Sequence, residues 1–190
     1  MTDERWRCFV AVRTPDAVRA PLAAAVARWR SRADLDGLRW VPDDRWHLTL
    51  AFLGAITPEA AARAASAIDD VARDMPLVRT EAGAIGGFPS SAAARVAWLG
   101  VGDPAGEIGR AASALAGVLG IEQAPLHPHL TLARARSRLI DLRPWIAEEA
   151  DGLPRVPFVV DRVELIRSHL GAGSRYETLH TALLRAGAHA

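Results

Sequence analysis

The tetrapeptide His-Leu-Thr-Leu occurs twice in this 190-residue chain, at residues 47–50 and again at residues 129–132. Successive side chains of a strand point to opposite faces of a sheet, so in each copy the histidine and the threonine share one face. The two leucines of each copy share the other face. Two strands of this kind predict a groove whose floor carries two imidazoles and two hydroxyls.

The sequence around the two copies predicts an α+β protein with antiparallel sheet. Alternating apolar residues predict strands at 8–12, 38–53 (interrupted at 42–44), 95–101 and 129–135. Ala-rich stretches after Thr-Pro or Asp-Pro pairs predict helices at about 16–32, 58–74 and 103–119. Residues 86–91 predict a turn-rich loop, and residues 156–169 predict one long strand. No low-complexity linker divides the chain, so we expect a single folding unit.

Composition limits the chemistry that the chain can perform. Its net charge is +1, from 23 basic and 22 acidic side chains, so any contact with a nucleic acid must be local. All the basic residues are arginines, and the absence of lysine excludes every mechanism that needs a lysine nucleophile. The single cysteine, Cys8, the charged N-terminus and the lack of a long apolar run predict a cytoplasmic protein without a membrane segment.

Paired histidines are typical of general acid–base chemistry on a phosphodiester. Opening a cyclic phosphodiester with water needs a base that activates the water and an acid that protonates the departing oxygen, and two imidazoles can divide these roles near neutral pH. Thr49 and Thr131 could donate hydrogen bonds to phosphate oxygens, and Arg134 could add a charge-assisted bond. Arg134 lies three residues after Thr131, however, and that odd offset puts it on the opposite face unless the strand bulges.

Other candidate residues have weaker support. His127 and His129 form a His-x-His pair, but no cysteine or carboxylate cluster completes a metal site, so we predict neither a metal nor a cofactor. His169, His180 and His189 are interpreted as surface or sheet residues. Three aromatic residues could stack on a nucleobase, although core packing is their default role: Phe9, Trp46 and Phe88.

The paired motif and its flanking sequence resemble the bacterial and archaeal RNA 2′,3′-cyclic phosphodiesterases. These enzymes belong to the 2H phosphoesterase superfamily and were formerly called 2′-5′ RNA ligases. The resemblance includes residues 47–54 and 127–134, and it extends to residues 7–12, 164–168 and 174–178. It therefore covers nearly the whole chain.

The resemblance implies one bilobal catalytic domain over residues 1–190 with a LigT-like fold. In that fold, two antiparallel sheets related by pseudo-twofold symmetry, together with outer helices, surround a central groove. By the same resemblance, His47 is the proton donor to the leaving 3′ oxygen, and His129 is the proton acceptor that activates water. Thr49 and Thr131 then bind the phosphate. The implied reaction is metal-independent hydrolysis of a 2′,3′-cyclic phosphate at an RNA 3′ end, which leaves a 2′-phosphate.

The residues alone leave several alternatives open. The same groups could perform 2′-5′ RNA ligation, the reverse chemistry, or could act on a small cyclic-phosphate nucleotide such as a cyclic phosphate of ADP-ribose. A non-catalytic module that binds RNA ends is a further alternative, although binding would not require two proton-exchanging groups. Nothing in the spacing decides which histidine is the acid, and no protein partner is implied.

Overall fold

The computed structural model describes residues 4–149, 152–169 and 175–185, which contain nine strands and four α-helices. The strands are β1 (Trp6–Arg13), β2 (Leu38–Trp40), β3 (His47–Ile56), β4 (Val78–Ser90), β5 (Ala93–Val101), β6 (His129–Ala135), β7 (Val156–Val160), β8 (Arg162–His169) and β9 (Arg175–Leu183). The helices are α1 (Asp16–Arg30), α2 (Pro58–Asp74), α3 (Glu107–Leu119) and α4 (Arg143–Glu149). Short 3₁₀ turns lie at Ala33–Leu35 and Asp43–Arg45.

The two His-Leu-Thr-Leu strands, β3 and β6, are neighbours at the centre of the sheet. Strand order is β7-β4-β5-β6-β3-β1-β8-β9, with β2 also paired to β6, and every pair of named strands is antiparallel. The α+β prediction is confirmed. The two predicted sheets are instead one hydrogen-bonded sheet, because its halves are joined between β3 and β6 by a single residue pair, Leu48 with Leu130. The pseudo-twofold symmetry stays a prediction.

The leucines of both motifs form the centre of the core. Leu48, Leu50, Leu130 and Leu132 are all buried in one cluster with apolar side chains of the helices. Helix α2 packs against β8, β9 and α3, helix α3 packs against β3, and α1 packs against β7. Burial of each leucine stabilises the fold by about 1.5–3 kcal/mol. The helices therefore cover the leucine face, and the opposite face of the sheet carries the histidines and threonines.

Helix α3 begins later than the sequence predicts. It starts at Glu107 rather than at residue 103, because the Asp103 carboxylate accepts hydrogen bonds from the backbone N–H groups of Ile108 and Gly109 at 3.0 and 2.8 Å. Asp103 thus caps the helix from a preceding loop. Helix α2 begins where predicted, with Thr57 as its N-cap.

Two predicted segments differ from the structure. Residues 86–91 are mostly not a loop, since β4 continues through to Ser90 and pairs with β5. Gly86 serves close packing instead: a Cβ at this position would lie 2.1 Å from Cζ2 of Trp98. The long strand predicted at 156–169 is interrupted at Asp161, and its two parts, β7 and β8, pair with β4 and β1 in different halves of the sheet.

Candidate active site

The central strands present two histidines and two threonines on the face opposite the core. His47 and Thr49 on β3, like His129 and Thr131 on β6, are half-buried, whereas the leucines beside them are buried. Because β3 and β6 are antiparallel about the Leu48–Leu130 pair, His47 and Thr131 lie to one side of that pair, and Thr49 and His129 lie to the other. The structure therefore brings the four polar side chains together around one point of the sheet.

Both imidazoles are held in the same way by the backbone. Nδ1 of His47 lies 2.7 Å from the carbonyl oxygen of Arg45, and Nδ1 of His129 lies 2.7 Å from that of His127. A carbonyl oxygen only accepts, so each Nδ1 must carry the proton and donate it. In the neutral ring, Nε2 is then the basic nitrogen. No residue in the described ranges hydrogen-bonds to Nε2 of either ring, which leaves both atoms available for proton transfer.

Both histidines favour the neutral form in the unliganded protein. Burial lowers the pKa of His47, the hydrogen bond to the Arg45 carbonyl partly offsets this, and the positive charges of Arg13 and Arg134 lower it further. Burial also lowers the pKa of His129, with the same partial offset from the His127 carbonyl. Arg134 acts on the pKa of both rings, so a cation lies within electrostatic range of both.

A bulge in β6 places Arg134 on the same face as the histidines. Pairing with β5 shifts register at this point: Ala97 pairs with Ala133, but Trp98 pairs with Thr131, so Leu132 is the extra residue. Leu132 and Ala133 are both buried, and Arg134 is exposed. At the bulge two consecutive side chains face the core, so the residues that follow alternate between the faces in the opposite phase. Arg134 thereby lies on the groove side despite its odd offset from Thr131.

Beside His47 lies a charged network that sequence analysis missed. Arg13 is the Cα partner of His47 on β1, and its Nε donates to Oε2 of Glu164 at 3.1 Å. The Thr178 hydroxyl donates to the same carboxylate oxygen at 2.8 Å and accepts from Nη2 of Arg13 at 3.4 Å. Glu164 is buried, so its charge is balanced chiefly by Arg13. Arg13 is 151 positions from Glu164, whereas Glu164 and Thr178 are 14 apart on the paired strands β8 and β9, and no local motif links either of them to Arg13.

Aromatic rings surround each histidine. The Phe9 ring is 4.9 Å from that of His47, and Tyr176 is 5.3 Å from both. In the other half, the ring of Phe88 is 5.0 Å from that of His129. Phe9 is only 5% exposed, so it packs beside His47 as a buried ring, whereas Phe88 is half-buried.

Trp46 does not belong to the groove surface. It is 2% exposed, and its indole N–H donates to the carbonyl of Val41 at 3.2 Å. It was considered for base stacking because it precedes His47, but in a strand that adjacency puts it on the opposite, core-facing side.

Phe52 is an exposed aromatic residue on the groove side of β3 that the sequence analysis did not single out. Pairing of β3 with β1 shifts register between Val10 and Ala11, so β3 bulges at Leu50 just as β6 bulges at Leu132. Phe52 consequently follows Thr49 onto the groove side and is 62% exposed. The signal was present in the sequence: residues 47–52 align with residues 129–134, and Phe52 corresponds to Arg134.

The other described histidines, His127, His169 and His180, do not form a recognisable metal site. His127 is exposed, and its ring lies 4.7 Å from that of Trp98. Within residues 4–149, 152–169 and 175–185, no three His, Cys, Asp or Glu side chains come together as a metal-ligand set. His169 and His180 pair with carboxylates on neighbouring elements, and His189 lies outside the described residues.

Comparison with known proteins gives consistent matches. The family model described as LigT like Phosphoesterase matches residues 12–98. An RNA 2′,3′-cyclic phosphodiesterase of Aeropyrum pernix is 32% identical over 104 residues, which is 52% of this chain and 58% of the relative. One of Bacillus subtilis is 28% identical over 192 residues, covering 94% of this chain and 97% of the relative. The chain thus spans little more than half of the first relative and nearly all of the second.

A solved structure matches over the whole fold. The crystal structure of E. coli LigT complexed with 3′-AMP superposes with a TM-score of 0.72 at 26% identity, covering 96% of this chain and 99% of that one. In its fold and its paired motif the chain is similar to the 2H phosphoesterases. Within that class the chain is similar in sequence and fold to LigT-like phosphoesterases, which confirms the resemblance predicted from the sequence. No helix in the described part of the chain is long and apolar enough to cross a membrane.

Proposed function

We propose that this protein hydrolyses the terminal 2′,3′-cyclic phosphate of RNA to a 2′-phosphate, with His47 as proton donor and His129 as proton acceptor. The observation that carries the proposal is the matched anchoring of the two imidazoles. Each Nδ1 is committed to a backbone carbonyl, so Nε2 is the nitrogen of each ring that can exchange protons with a substrate. The names of the Aeropyrum and Bacillus relatives support the substrate class.

The proposed reaction assigns one step to each side chain. Nε2 of neutral His129 takes a proton from water as the water oxygen attacks phosphorus. The bond between phosphorus and the 3′ oxygen breaks, and Nε2–H of protonated His47 gives its proton to that oxygen. The products are a 2′-phosphomonoester and a free 3′ hydroxyl, and the reaction consumes one water.

Once substrate is bound, the charges around the groove favour His47 as the acid and His129 as the base. In the free protein, nearby cations and burial lower the pKa of His47, which disfavours its acid form. A phosphate anion held by Arg134 and the Thr49 and Thr131 hydroxyls would offset those cations and favour protonated His47. The same hydroxyls and guanidinium can donate hydrogen bonds to the oxygens on which charge develops in the transition state.

The exposed ring of Phe52 is the best candidate for a base platform. It lies on the groove side of β3, beyond Thr49, and its face is accessible to a nucleobase, whereas Phe9 and Trp46 are covered. Stacking of a base on an aromatic ring contributes about 1–3 kcal/mol. We further infer that the two halves of the sheet are related by pseudo-twofold symmetry and that the protein is cytoplasmic.

Relative turnover of two substrates tests the assignment. We expect a dinucleotide that ends in a 2′,3′-cyclic phosphate to be hydrolysed with a higher kcat/KM than a cyclic phosphate of ADP-ribose. Equal or reversed preference would contradict the RNA-end assignment and favour the small-nucleotide alternative. Adding an excess of RNA with a 5′ hydroxyl to the same reaction would reveal 2′-5′ ligation as a longer product, because the same groups can use that hydroxyl in place of water.

A further inference from the structure

Beyond the catalytic residues, β6 carries a line of arginines away from the paired histidines. Arg134 follows Thr131 on β6, Arg136 lies one residue beyond the end of β6, and Arg39 of β2 is the direct Cα partner of Arg134. The backbone N–H of Arg136 donates to the carbonyl of Gly37, so the β2–β6 pairing continues to that residue. Alternation then places Arg39, Arg134 and Arg136 on one face, and we call these three residues the arginine row.

The topology explains why the arginine row adjoins the groove. Strand β6 pairs with β3 at Leu130, but from Ala133 to Ala135 its partner on that side is β2. The bulge at Leu132 keeps the groove-facing order His129, Thr131, Arg134 along one strand. Arg136 then lies roughly 20 Å from His129 along the chain, at the rise of an extended strand. The arginine row is therefore a continuation of the phosphate site.

The charges of the arginine row are unpaired among the described residues. All three side chains are exposed, and none forms an ion pair with any residue in the described part of the chain. Like charges directly opposite each other on paired strands destabilise a sheet, and Arg39 stands directly opposite Arg134. Most other arginines near acidic residues are paired, as Arg32 is with Asp34 and Glu148. An anion bound at the arginine row would remove this repulsion.

We propose that Arg39 and Arg136 of the arginine row bind the phosphodiester backbone of the RNA strand that precedes the cyclic phosphate, beyond Arg134 at the phosphate site. The proposal rests on the proposed function and extends it from a terminal nucleotide to an oligonucleotide substrate. A mononucleotide carries a single phosphate, which cannot be held at the histidines and also at Arg136, roughly 20 Å from His129 along the chain. A chain of several nucleotides has further phosphates that can reach Arg136. The arginine row therefore gives this protein, which has a net charge of only +1, a local preference for RNA ends over free nucleotides.

The test compares the R39Q/R136Q double variant with wild type on two substrates. These are 2′,3′-cyclic AMP and a ten-nucleotide RNA that ends in a 2′,3′-cyclic phosphate. Arg134 is left unchanged because it belongs to the phosphate site. The matched control is R63Q/R73Q, which removes two exposed charges from α2 on the other face of the sheet. Because R39Q removes the repulsion between Arg39 and Arg134, the melting temperature of R39Q/R136Q should equal or exceed that of wild type.

We expect the double variant to lose on the order of tenfold in kcat/KM for the RNA at low salt and to keep its kcat/KM for 2′,3′-cyclic AMP. Between 50 and 200 mM salt, wild-type affinity for the RNA should fall about sevenfold more than that of the variant, the difference expected for two single-strand phosphate contacts. Equal losses on both substrates, or an RNA loss no larger than that of R63Q/R73Q, would overturn the proposal.

A binding measurement separates this proposal from the proposed function. A fluorescein-labelled ten-nucleotide RNA with a 2′-phosphate end is titrated with each protein, and anisotropy gives the dissociation constant without turnover. If wild type hydrolyses no cyclic phosphate, the proposed function fails, but selective loss of RNA affinity in R39Q/R136Q still supports the arginine row. If hydrolysis is normal and RNA affinity does not depend on Arg39 and Arg136, only the arginine row fails.

Discussion

Two backbone carbonyls determine what the paired histidines can do. The carbonyls of Arg45 and His127 each precede a motif by two residues and fix Nδ1 as the protonated nitrogen. A residue pattern cannot predict this, because the direction of a carbonyl depends on the local turn: Arg45 ends a 3₁₀ turn, and His127 precedes Pro128. The sequence does predict which residues share a face, since that follows from strand alternation alone.

Replacing either central histidine should abolish most turnover. We expect His47→Ala and His129→Ala each to lower kcat by about 10²–10⁴-fold, because each imidazole has its own proton transfer. Both side chains are on the groove face, so the melting temperature should change little. His180→Ala, remote from the groove and paired with Asp69, is the control and should remain active. A kcat within a fewfold of wild type in either groove variant would refute the two-histidine mechanism.

The charge of Arg13 provides a test of which histidine is the acid. Burial is the main cause of the lowered pKa of His47, and Arg13 lowers it further, so Arg13→Gln should raise that pKa. The unbalanced Glu164 carboxylate acts in the same direction. If His47 is the proton donor, the alkaline limb of the kcat/KM profile moves to higher pH, because the acid form persists longer.

Assignment of His47 as the base predicts a different pH dependence of kcat/KM for Arg13→Gln. If His47 were the base, the acidic limb would move to higher pH and the alkaline limb would stay in place. Arg63→Gln on α2 controls for the general loss of one positive charge. Measurement of kcat/KM for a cyclic-phosphate dinucleotide between pH 4.5 and pH 8.5, roughly two units on either side of the ordinary histidine pKa, covers both limbs.

At the scale of elements, matched bulges arrange the groove. Strands β3 and β6 each contain an extra buried residue at the last leucine of the motif, and these bulges bring Phe52 and Arg134 to the groove side. The limits of both helix α2 and strand β6 follow from local sequence signals and agree with the prediction. The bulges could not be predicted, because a bulge is defined by pairing with a distant strand. For the same reason residues 86–91 resemble a loop in sequence, although most of them form part of β4.

Glycine substitutions test the packing that positions Trp98 beside the motif of β6. A Cβ on Gly86 would lie 2.1 Å from Cζ2 of Trp98, a ring held between Phe88 and His127. We expect Gly86→Ala to lower the free energy of unfolding by about 1–3 kcal/mol, as overpacking does. Gly117→Ala in α3, where no atom lies within 4 Å of the added Cβ, should raise it by about 0.4–1 kcal/mol. Urea unfolding compares the two, and an unchanged Gly86→Ala midpoint would contradict this packing.

At the scale of the whole molecule, one face of the sheet packs into the core and stabilises the fold, and the other face carries the candidate catalytic residues. Leucines of the two motifs bury against the helices, and the histidines and threonines of the same four-residue units face the groove. The two halves of the sheet are joined between β3 and β6 by one residue pair. The site at this junction combines two motifs that are 82 positions apart in sequence. A repeated motif made this junction predictable. The Arg13–Glu164–Thr178 network was not predictable, because it joins three strands with no shared pattern.

The most direct test of the central claim is the position of the phosphate in the product. Wild-type protein and His47→Ala are incubated in EDTA with a dinucleotide that ends in a 2′,3′-cyclic phosphate, and ³¹P NMR identifies the product. Two-histidine catalysis predicts a 2′-phosphomonoester from wild type, at a rate that EDTA does not change, and almost none from the variant. A 3′-phosphomonoester, or activity that EDTA abolishes and a divalent cation restores, would contradict the mechanism.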